Sequence, residues 1–324
     1  MTRVLICLLS CLFAASVLAE SGGGESVTPI PPAEHSDAAK VELGRKLFDD
    51  PRLSHDDVVA CSGCHELRSG GEDGRARSIG TDGKPLDFNT PTVFNASGNA
   101  RLNWEANFRT LEGQNESVLL NARIMNTTWD ELLAKLRNDT NYLKNFFAIY
   151  GKGPTRASVL DALTTFERSL VTPNSRFDRR LRGEFGAISP EEEQGYQLFK
   201  SYGCVACHQG ANFGGNLLQP FGIFDDPFRP HGDNGDGRDR FAATGADGDG
   251  RLYRVPSLRN VAVTAPYFHN GYSSSLAEAV EIMGRSQLGR TLSQDDIQLI
   301  VKFLNTLTGE YEGRPLTDHG STSK

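Results

Sequence analysis

The sequence has no long apolar run after its first 19 residues, no excess of positive charge and no series of alternating apolar and polar residues. A membrane-spanning helix needs about 20 apolar residues, so the chain is predicted not to be an integral membrane protein. Lys and Arg number 34 against 41 Asp and Glu, and the net charge of −7 argues against a nucleic-acid partner. With 324 residues, 38% apolar and 23% charged, the chain is predicted to be a soluble globular protein with room for two domains.

The N-terminus has the layout of a secretory signal peptide. A basic residue precedes an apolar run over residues 4–17, and small residues lead to a cleavage site after Ala19. Residues 1–19 are therefore predicted to be removed on export. A lipoprotein signal at Cys11 is the less favoured alternative, because the apolar run before it would be very short. Residues 20–35 are rich in Gly and Pro and are predicted to form a flexible lead-in.

Cysteine is confined to two motifs in the predicted mature chain. Of six cysteines, two lie in the signal peptide and the other four belong to two Cys-x-x-Cys-His units. This spacing is typical of c-type haem attachment, because two thiols one helical turn apart add to the haem vinyl groups while the adjacent histidine turns toward the iron. We therefore predict two covalently bound haem c groups. Their residues are Cys61, Cys64 and iron ligand His65 for the first, and Cys204, Cys207 and iron ligand His208 for the second.

Two other chemistries use paired cysteines. A structural zinc site built from both pairs would leave the two histidines of the motifs unexplained. A thioredoxin-like redox pair would need a strand–helix–strand context that the sequence around neither motif provides. Both alternatives are less favoured than haem attachment.

Helical patterns occur in both halves of the chain. A Gly-x-x-Leu-Phe sequence precedes each cysteine motif, which suggests an internal duplication. The predicted fold is mainly α, with two cytochrome c-like domains, each around one haem, at residues 36–180 and 181–324, and with long loops. Predicted helices are Asp37–Phe48, Trp129–Arg137 capped by Thr128 with Glu131 as box partner, Val159–Leu170, a helix begun by Ser189 and Pro190, and Gln294–Leu307.

Methionine is scarce, and this matters for the sixth position of each haem iron. A thioether ligand raises the reduction potential and suits electron transfer, whereas an empty position admits a small oxidant. The predicted mature chain offers only Met125 and Met283. Without further context, a methionine in an apolar helix is core filler.

Several segments together resemble the bacterial dihaem cytochrome c peroxidases and their MauG-like relatives. The resemblance rests on GRKLFDDPRLSHDDVVACSGCH, GGEDGRARSIG, NTPTVFNA, LEGQ, NFGG, RVPSLRNVAVTAPYFHNG and LAEAVEIMGR, which follow the family order over nearly the whole mature chain. It implies a periplasmic protein whose N-terminal haem reacts with hydrogen peroxide. It also implies that the C-terminal haem has His/Met ligation, with Met283 as the ligand, and receives electrons from a small donor protein such as a cytochrome c or a cupredoxin.

The resemblance also implies roles for four further positions of this sequence and its calcium-binding carbonyls. Trp104 matches a tryptophan that relays electrons between the two haems, and Gln114 matches a glutamine in the pocket over the N-terminal haem. Asn89, with the backbone carbonyls of Thr264 and Pro266, matches an inter-domain Ca²⁺ site, for which hard oxygen ligands are suitable. His269 also matches, and is interpreted as a structural or haem-edge residue rather than an iron ligand.

Two departures from the family bear on chemistry. Thr81 stands where many members have a histidine that caps the N-terminal haem at rest, so that haem is predicted to be open without prior reduction. Ile124 stands where the family has a proton-shuttling glutamate, and an isoleucine cannot move a proton. Gln114, Arg123 or ordered water are candidate substitutes, and Glu105 is a weaker one.

Three functions follow from the resemblance and these departures. The favoured one is a peroxidase that reduces hydrogen peroxide with electrons from the donor protein. The second is a MauG-like enzyme that uses peroxide-derived high-valent haem to oxidise a residue, such as tryptophan, on an exported partner protein. The third is an electron-transfer cytochrome only. Homodimers are common in the family, but no residue of this chain establishes one.

Overall fold

The computed structural model describes residues 25–33, 36–228 and 252–319. The predicted signal peptide and the Asp/Gly-rich segment 231–250, predicted to be a solvated loop, lie outside these residues. The described chain is mainly helical, with little sheet. Its α-helices are α1 (Ala38–Phe48), α2 (Leu111–Leu120), α3 (Trp129–Asn138), α4 (Thr140–Tyr150), α5 (Arg156–Ser169), α6 (Arg176–Leu181), α7 (Pro190–Ser201), α8 (Leu276–Ile282) and α9 (Gln294–Asn305).

Helix starts are set by the caps that the sequence predicts. Ser189 begins α7 with a reciprocal capping box and with proline in the first turn, as expected. Thr128 caps α3, but the predicted box is incomplete because the Glu131 carboxylate pairs with His55 and Lys135 instead. The prediction for α5 starts three residues late, since the structure places its cap at Thr155.

Strands are few and short in the described residues. Strand β1 (Leu218–Pro220) pairs antiparallel with β2 (Leu252–Arg254), and β3 (Glu310–Tyr311) pairs antiparallel with β4 (Arg314–Pro315). The absence of alternating patterns in the sequence agrees with this small amount of sheet. Within the described ranges, no helix is long and apolar enough to cross a membrane.

The repeated glycine of the two halves has the same packing role. Gly44 of α1 lies against the Ala162 carbonyl of α5, and Gly195 of α7 lies against the Leu299 carbonyl of α9. A Cβ at either glycine would overlap the facing backbone, so each helix pair can approach closely only because the residue is glycine. The two helix pairs therefore support the predicted internal duplication.

An aromatic pair accompanies each glycine contact. Phe48 and Phe166 lie with ring centroids 5.3 Å apart, and Phe199 and Phe303 lie at the same separation of 5.3 Å. Each pair belongs to its own hydrophobic cluster, the first formed mainly by α1 to α5 and the second mainly by α6 to α9. The division of the chain into domains at residues 180 and 181 stays a prediction.

The described part of the predicted flexible lead-in is packed rather than loose. Val27 and Ile30 are only 2% and 3% exposed, and Val27 belongs to the second hydrophobic cluster. The Ile30 amide donates to the Asp178 carboxylate at 3.2 Å, and the Thr28 carbonyl accepts from Arg259 at 2.9 Å. Composition alone misses this order because two apolar residues and two backbone contacts are enough to dock the segment.

Candidate functional site

The first Cys-x-x-Cys-His motif forms a tight turn directed by one histidine hydrogen bond. Cys61–Gly63 is a single 3₁₀ turn, and His65 follows it. His65 Nδ1 lies 3.0 Å from the Gly71 carbonyl oxygen, which can only accept, so Nδ1 carries the proton. The ring packs against Phe48 at a centroid separation of 6.3 Å. This arrangement fixes the ring and leaves Nε2 as the nitrogen available to a metal.

The second motif repeats the first. Cys204–Ala206 forms a 3₁₀ turn, and His208 Nδ1 donates to the Phe213 carbonyl at 3.0 Å. The His208 ring lies 6.4 Å from Phe199, the counterpart of Phe48. Burial lowers the pKa of both motif histidines, which favours the neutral, ligating form.

The four motif cysteines lie in two separate places and form no disulfide with one another. Burial raises the pKa of Cys61 to about 12 and that of Cys204 to about 11, so neither is an activated thiolate. Among the described residues, no group of three or more His, Cys, Asp or Glu side chains could hold a metal ion. Within the described ranges the two cysteine pairs thus do not come together as a single zinc site would require, and no strand–helix–strand unit surrounds either motif.

A cavity of about 240 Å³ lies beside the second motif. It is lined by the second-motif cysteines, His208 and Met283. Met283 begins a π-helical turn that continues α8 to Gln287, so its side chain is presented at the end of a helix. Met125, by contrast, is 1% exposed and packs in the first hydrophobic cluster. The two methionines thus have different surroundings, and Met283 shares a cavity with His208.

An unpartnered cation tests whether the cavity suits a haem. Arg254 lines it and is only 5% exposed. Its Nε donates to the Asn103 carbonyl at 2.8 Å, but its Nη1 has no hydrogen-bond partner in the part of the chain that the structure describes. Burial lowers the pKa of Arg254 to about 10, because a charge is held away from water. A haem propionate would supply the missing anionic acceptor, so the residues present fit that group.

Trp104 joins the two halves of the chain at this cavity. Its indole Nε1 donates to the Asn89 carbonyl at 2.8 Å, and its ring lies 6.0 Å from the Arg254 guanidinium carbon. His269 lies edge-on to the indole at 6.2 Å and is stacked on Tyr253 at 4.2 Å. The indole is 8% exposed and contacts residues of both halves.

Gln114 is an unsatisfied polar group in the N-terminal half. It lies on α2, and its Oε1 is buried with no hydrogen-bond partner among residues 25–33, 36–228 and 252–319. A buried amide oxygen without a donor carries a desolvation cost of about 1–3 kcal/mol. Such an atom is suited to accept a hydrogen bond from a bound molecule.

The two positions that depart from the family lie on adjoining loops. The Thr81 hydroxyl donates to the Ala122 carbonyl at 2.8 Å, and Thr81 is exposed. Ile124 is half-buried and packs against the first hydrophobic cluster. Arg123, considered above as a substitute acid, is bound to Asp87 at 2.9 Å, and Glu105 accepts from the Asn103 amide at 3.3 Å.

The residues predicted to bind Ca²⁺, Asn89, Thr264 and Pro266, all line the cavity beside the second motif. The Asn89 side-chain nitrogen donates to the Arg75 carbonyl at 2.9 Å, which fixes the orientation of its amide. Binding of Ca²⁺ by the three residues stays a prediction.

Three buried charged residues near these features are missing from the sequence-based predictions: Glu72, Glu167 and Arg254. Glu72 is 2% exposed and pairs with His319 at 2.6 Å. Arg254 and Glu72 lie inside motifs that the resemblance includes, but nothing in the sequence states that they are buried. For Glu167 a signal exists, because it follows Leu160 by seven residues and Leu163 by four on the apolar face of α5.

Comparison with known proteins identifies the family. The family described as di-haem cytochrome c peroxidase matches residues 38–185. The chain is 40% identical over 300 residues to cytochrome c peroxidase Ccp of Escherichia coli (strain K12), covering 92% of this chain but only 64% of that protein. It is 37% identical over 304 residues to cytochrome c551 peroxidase of Nitrosomonas europaea, covering 93% of this chain and 89% of that protein.

A solved structure gives the same result. A MauG-like protein associated with microbial copper homeostasis is 27% identical and similar in structure with a TM-score of 0.73, over 87% of this chain and 93% of that one. The chain therefore belongs to the dihaem cytochrome c peroxidase family, which includes peroxidases and MauG-like proteins.

Proposed function

We propose that this protein is a periplasmic dihaem c-type peroxidase that reduces hydrogen peroxide with electrons from a small redox protein, a cytochrome c or a cupredoxin. The observation that carries the proposal is the pair of Cys-x-x-Cys-His turns, each with its histidine Nδ1 held by a backbone carbonyl at 3.0 Å, in a chain of this family. Attachment through the four cysteines belongs to the proposal, as do export by residues 1–19 and Ca²⁺ at Asn89, Thr264 and Pro266.

The haem groups, when bound, supply a peroxide-binding iron at His65 and an electron-accepting iron at His208. Met283 provides a thioether facing the cavity on the His208 side, and a thioether ligand raises the reduction potential there. A higher potential favours uptake of electrons from the donor protein.

Residues of the chain provide a route for the electrons and a hydrogen-bond acceptor for the peroxide. Trp104, held by Asn89 and Arg254, places an oxidisable ring between the two halves and is the proposed electron relay. Gln114 offers its unpartnered Oε1 to an O–H of the bound peroxide, which orients the substrate. The Arg254 guanidinium would pair with a haem propionate through its Nη1, which has no partner among the described residues.

The proposal is tested by steady-state turnover of the holoprotein. A reduced donor cytochrome is mixed with hydrogen peroxide, and its oxidation is followed optically with wild-type protein and with His65→Gly. Wild-type protein should oxidise the donor rapidly, and the variant should lose this activity while keeping the spectrum of the second haem. Full activity in His65→Gly would mean that peroxide reacts at the other half of the chain.

A second function, oxidation of a partner protein, is favoured by one pair of observations. The Thr81 hydroxyl is committed to the Ala122 carbonyl, and Ile124 provides no proton carrier. An uncapped pocket with slow peroxide turnover suits oxidation of a residue on an exported partner. Two measurements separate the functions. A long-lived oxidised state after one equivalent of peroxide is added to the diferric protein without a donor favours this one, whereas rapid donor oxidation in the turnover assay above favours the peroxidase. A lack of any response to peroxide would favour the electron-transfer cytochrome.

A further inference from the structure

The N-terminal half contains a buried carboxyl group that none of the assigned roles uses. Glu167 lies on α5 and is 7% exposed. Its Oε2 accepts a hydrogen bond of 2.8 Å from the Asn115 side-chain amide of α2. Asn115 is adjacent to Gln114, so one turn of α2 carries both the unpartnered amide and the residue that holds Glu167.

The carboxyl group lies near the point of haem attachment. Helix α5 packs against α1, and Cys61 contacts the same hydrophobic cluster. Phe166, the residue before Glu167, lies 5.3 Å from Phe48 between ring centroids, and Phe48 lies 6.3 Å from the His65 ring. Glu167 thus belongs to the helix that packs beside the first motif, and burial, followed by the Glu167 charge, raises the pKa of Cys61.

Among the described residues, no cation forms an ion pair with Glu167. Arg168, the next residue on α5, is directed outward and pairs with Glu112 of α2 at 2.7 Å. Asn115 is neutral, and the Glu112 charge raises the pKa of Glu167 further. Burial, the largest effect, raises this pKa to about 8, so Glu167 keeps its proton at neutral pH and loses it as the pH rises above that value.

We propose that Glu167 is the proton donor of the N-terminal haem pocket and takes the place of the carboxyl group that Ile124 lacks. The Asn115 amide occupies Oε2, which leaves Oε1 to carry the proton. Reduction of one hydrogen peroxide to two waters consumes two electrons from the donor protein and two protons. Glu167 gives one of these protons to the departing oxygen, becomes a carboxylate, and regains its proton from solvent.

This inference rests on the peroxide chemistry proposed above. The protonation state of Glu167 can nevertheless be measured without turnover. Infrared spectroscopy of the resting holoprotein detects the C=O stretch of a protonated carboxylic acid. Wild-type protein should show this band at neutral pH and lose it with a midpoint near the Glu167 pKa of about 8. Glu167→Gln, which keeps an acceptor for Asn115 and so preserves the fold, should lack the band. Its persistence in that variant would overturn the proposal.

Peroxide consumption gives the functional test. Glu167→Gln should slow the single-turnover reaction with peroxide by about 10²-fold, the lower end of the usual contribution of a positioned acid. The wild-type rate should fall above pH 8 and the variant rate should not. Glu112→Gln is the matched control, because it removes a more exposed carboxylate from the same helix interface. Loss of the Glu112 charge should lower the midpoint of the infrared band, but at about pH 6 the variant should keep the band and the wild-type rate.

A restored acid at the family position completes the test. The double variant Ile124→Glu with Glu167→Gln should react at least tenfold faster than Glu167→Gln alone, because the new carboxyl group would lie on the loop beside the pocket. An unchanged rate in Glu167→Gln would overturn the proton-donor role. If wild-type protein fails to consume peroxide, the proposed function fails, while the infrared band still decides whether Glu167 holds a proton.

Discussion

Removing the guanidinium of Arg259 should destabilise the protein strongly. Arg259 and Asp178 form an ion pair of 2.8 Å in which the side chains are 1% and 0% exposed. Arg259 also donates to the Ser175 hydroxyl at 3.1 Å, to the Ala211 carbonyl at 2.7 Å and to the Thr28 carbonyl at 2.9 Å. It thus connects the lead-in and α6 to the loop that follows His208.

The magnitude follows from what Arg259→Met leaves behind. The substitution keeps an apolar side chain in place but leaves the Asp178 carboxylate buried without its cation, and breaking a buried pair in this way costs about 3–5 kcal/mol. A matched substitution, Arg285→Met, removes an exposed pair with Asp225 in which the side chains are 52% and 53% exposed. Exposed pairs contribute about 0–1 kcal/mol, so the control should be nearly neutral.

Denaturant unfolding of the holoprotein, followed by far-ultraviolet circular dichroism, measures both free energies. The double variant Arg259→Met with Asp178→Leu should be less destabilised than Arg259→Met alone, because no buried charge remains. If Arg259→Met costs no more than Arg285→Met, the pair does not hold these segments together and the reasoning is refuted.

Three further predictions concern the haem sites. Met283→Ala should lower the reduction potential of the second haem, because a thioether ligand raises it. If a spectroelectrochemical titration finds the same potential, Met283 is not an iron ligand and only fills space. Trp104→Phe keeps a buried ring but loses the hydrogen bond to Asn89, and it should slow inter-haem electron transfer without changing either potential; unchanged kinetics after rapid reduction would remove Trp104 from the path. Because the Thr81 hydroxyl is bound to a backbone carbonyl, the first haem should be open at rest, and an electron paramagnetic resonance spectrum with two low-spin haems would contradict this.

Local signals account for the parts of the fold that the sequence predicts well. Helices α1 and α7 have strong N-caps and an apolar stripe, and both features act within a few residues. Helix α2 was not predicted, because LEGQNESVLL has no clear apolar stripe and its buried side is partly polar. Helix α8 is short and continues into the π-helical turn at Met283, which the periodicity cannot foresee.

Buried charges are the part of the site that a single sequence does not reveal. Arg259 and Asp178 are 81 positions apart in sequence, the difference between their residue numbers, and only the fold brings them into contact. The resemblance places Trp104, Gln114 and Met283 in particular roles, yet it gives no indication that Arg254 Nη1 lacks a partner. Burial depends on what every surrounding element does, so it follows from the tertiary structure rather than from local pattern.

The two halves share the same contacts around the motif histidine, so a difference in chemistry between them must come from other residues. In each, a glycine permits close helix packing, a phenylalanine contacts the motif histidine, and a backbone carbonyl accepts from its Nδ1. The distances of these contacts around the histidine are nearly the same in the two halves. The halves differ in other residues: one has Met283, and the other has Gln114 with its unpartnered Oε1 and the buried Glu167. A thioether suits electron uptake, whereas an amide acceptor and a protonated carboxyl group suit reduction of an O–O bond, so duplication followed by change on one side is enough to divide the two roles.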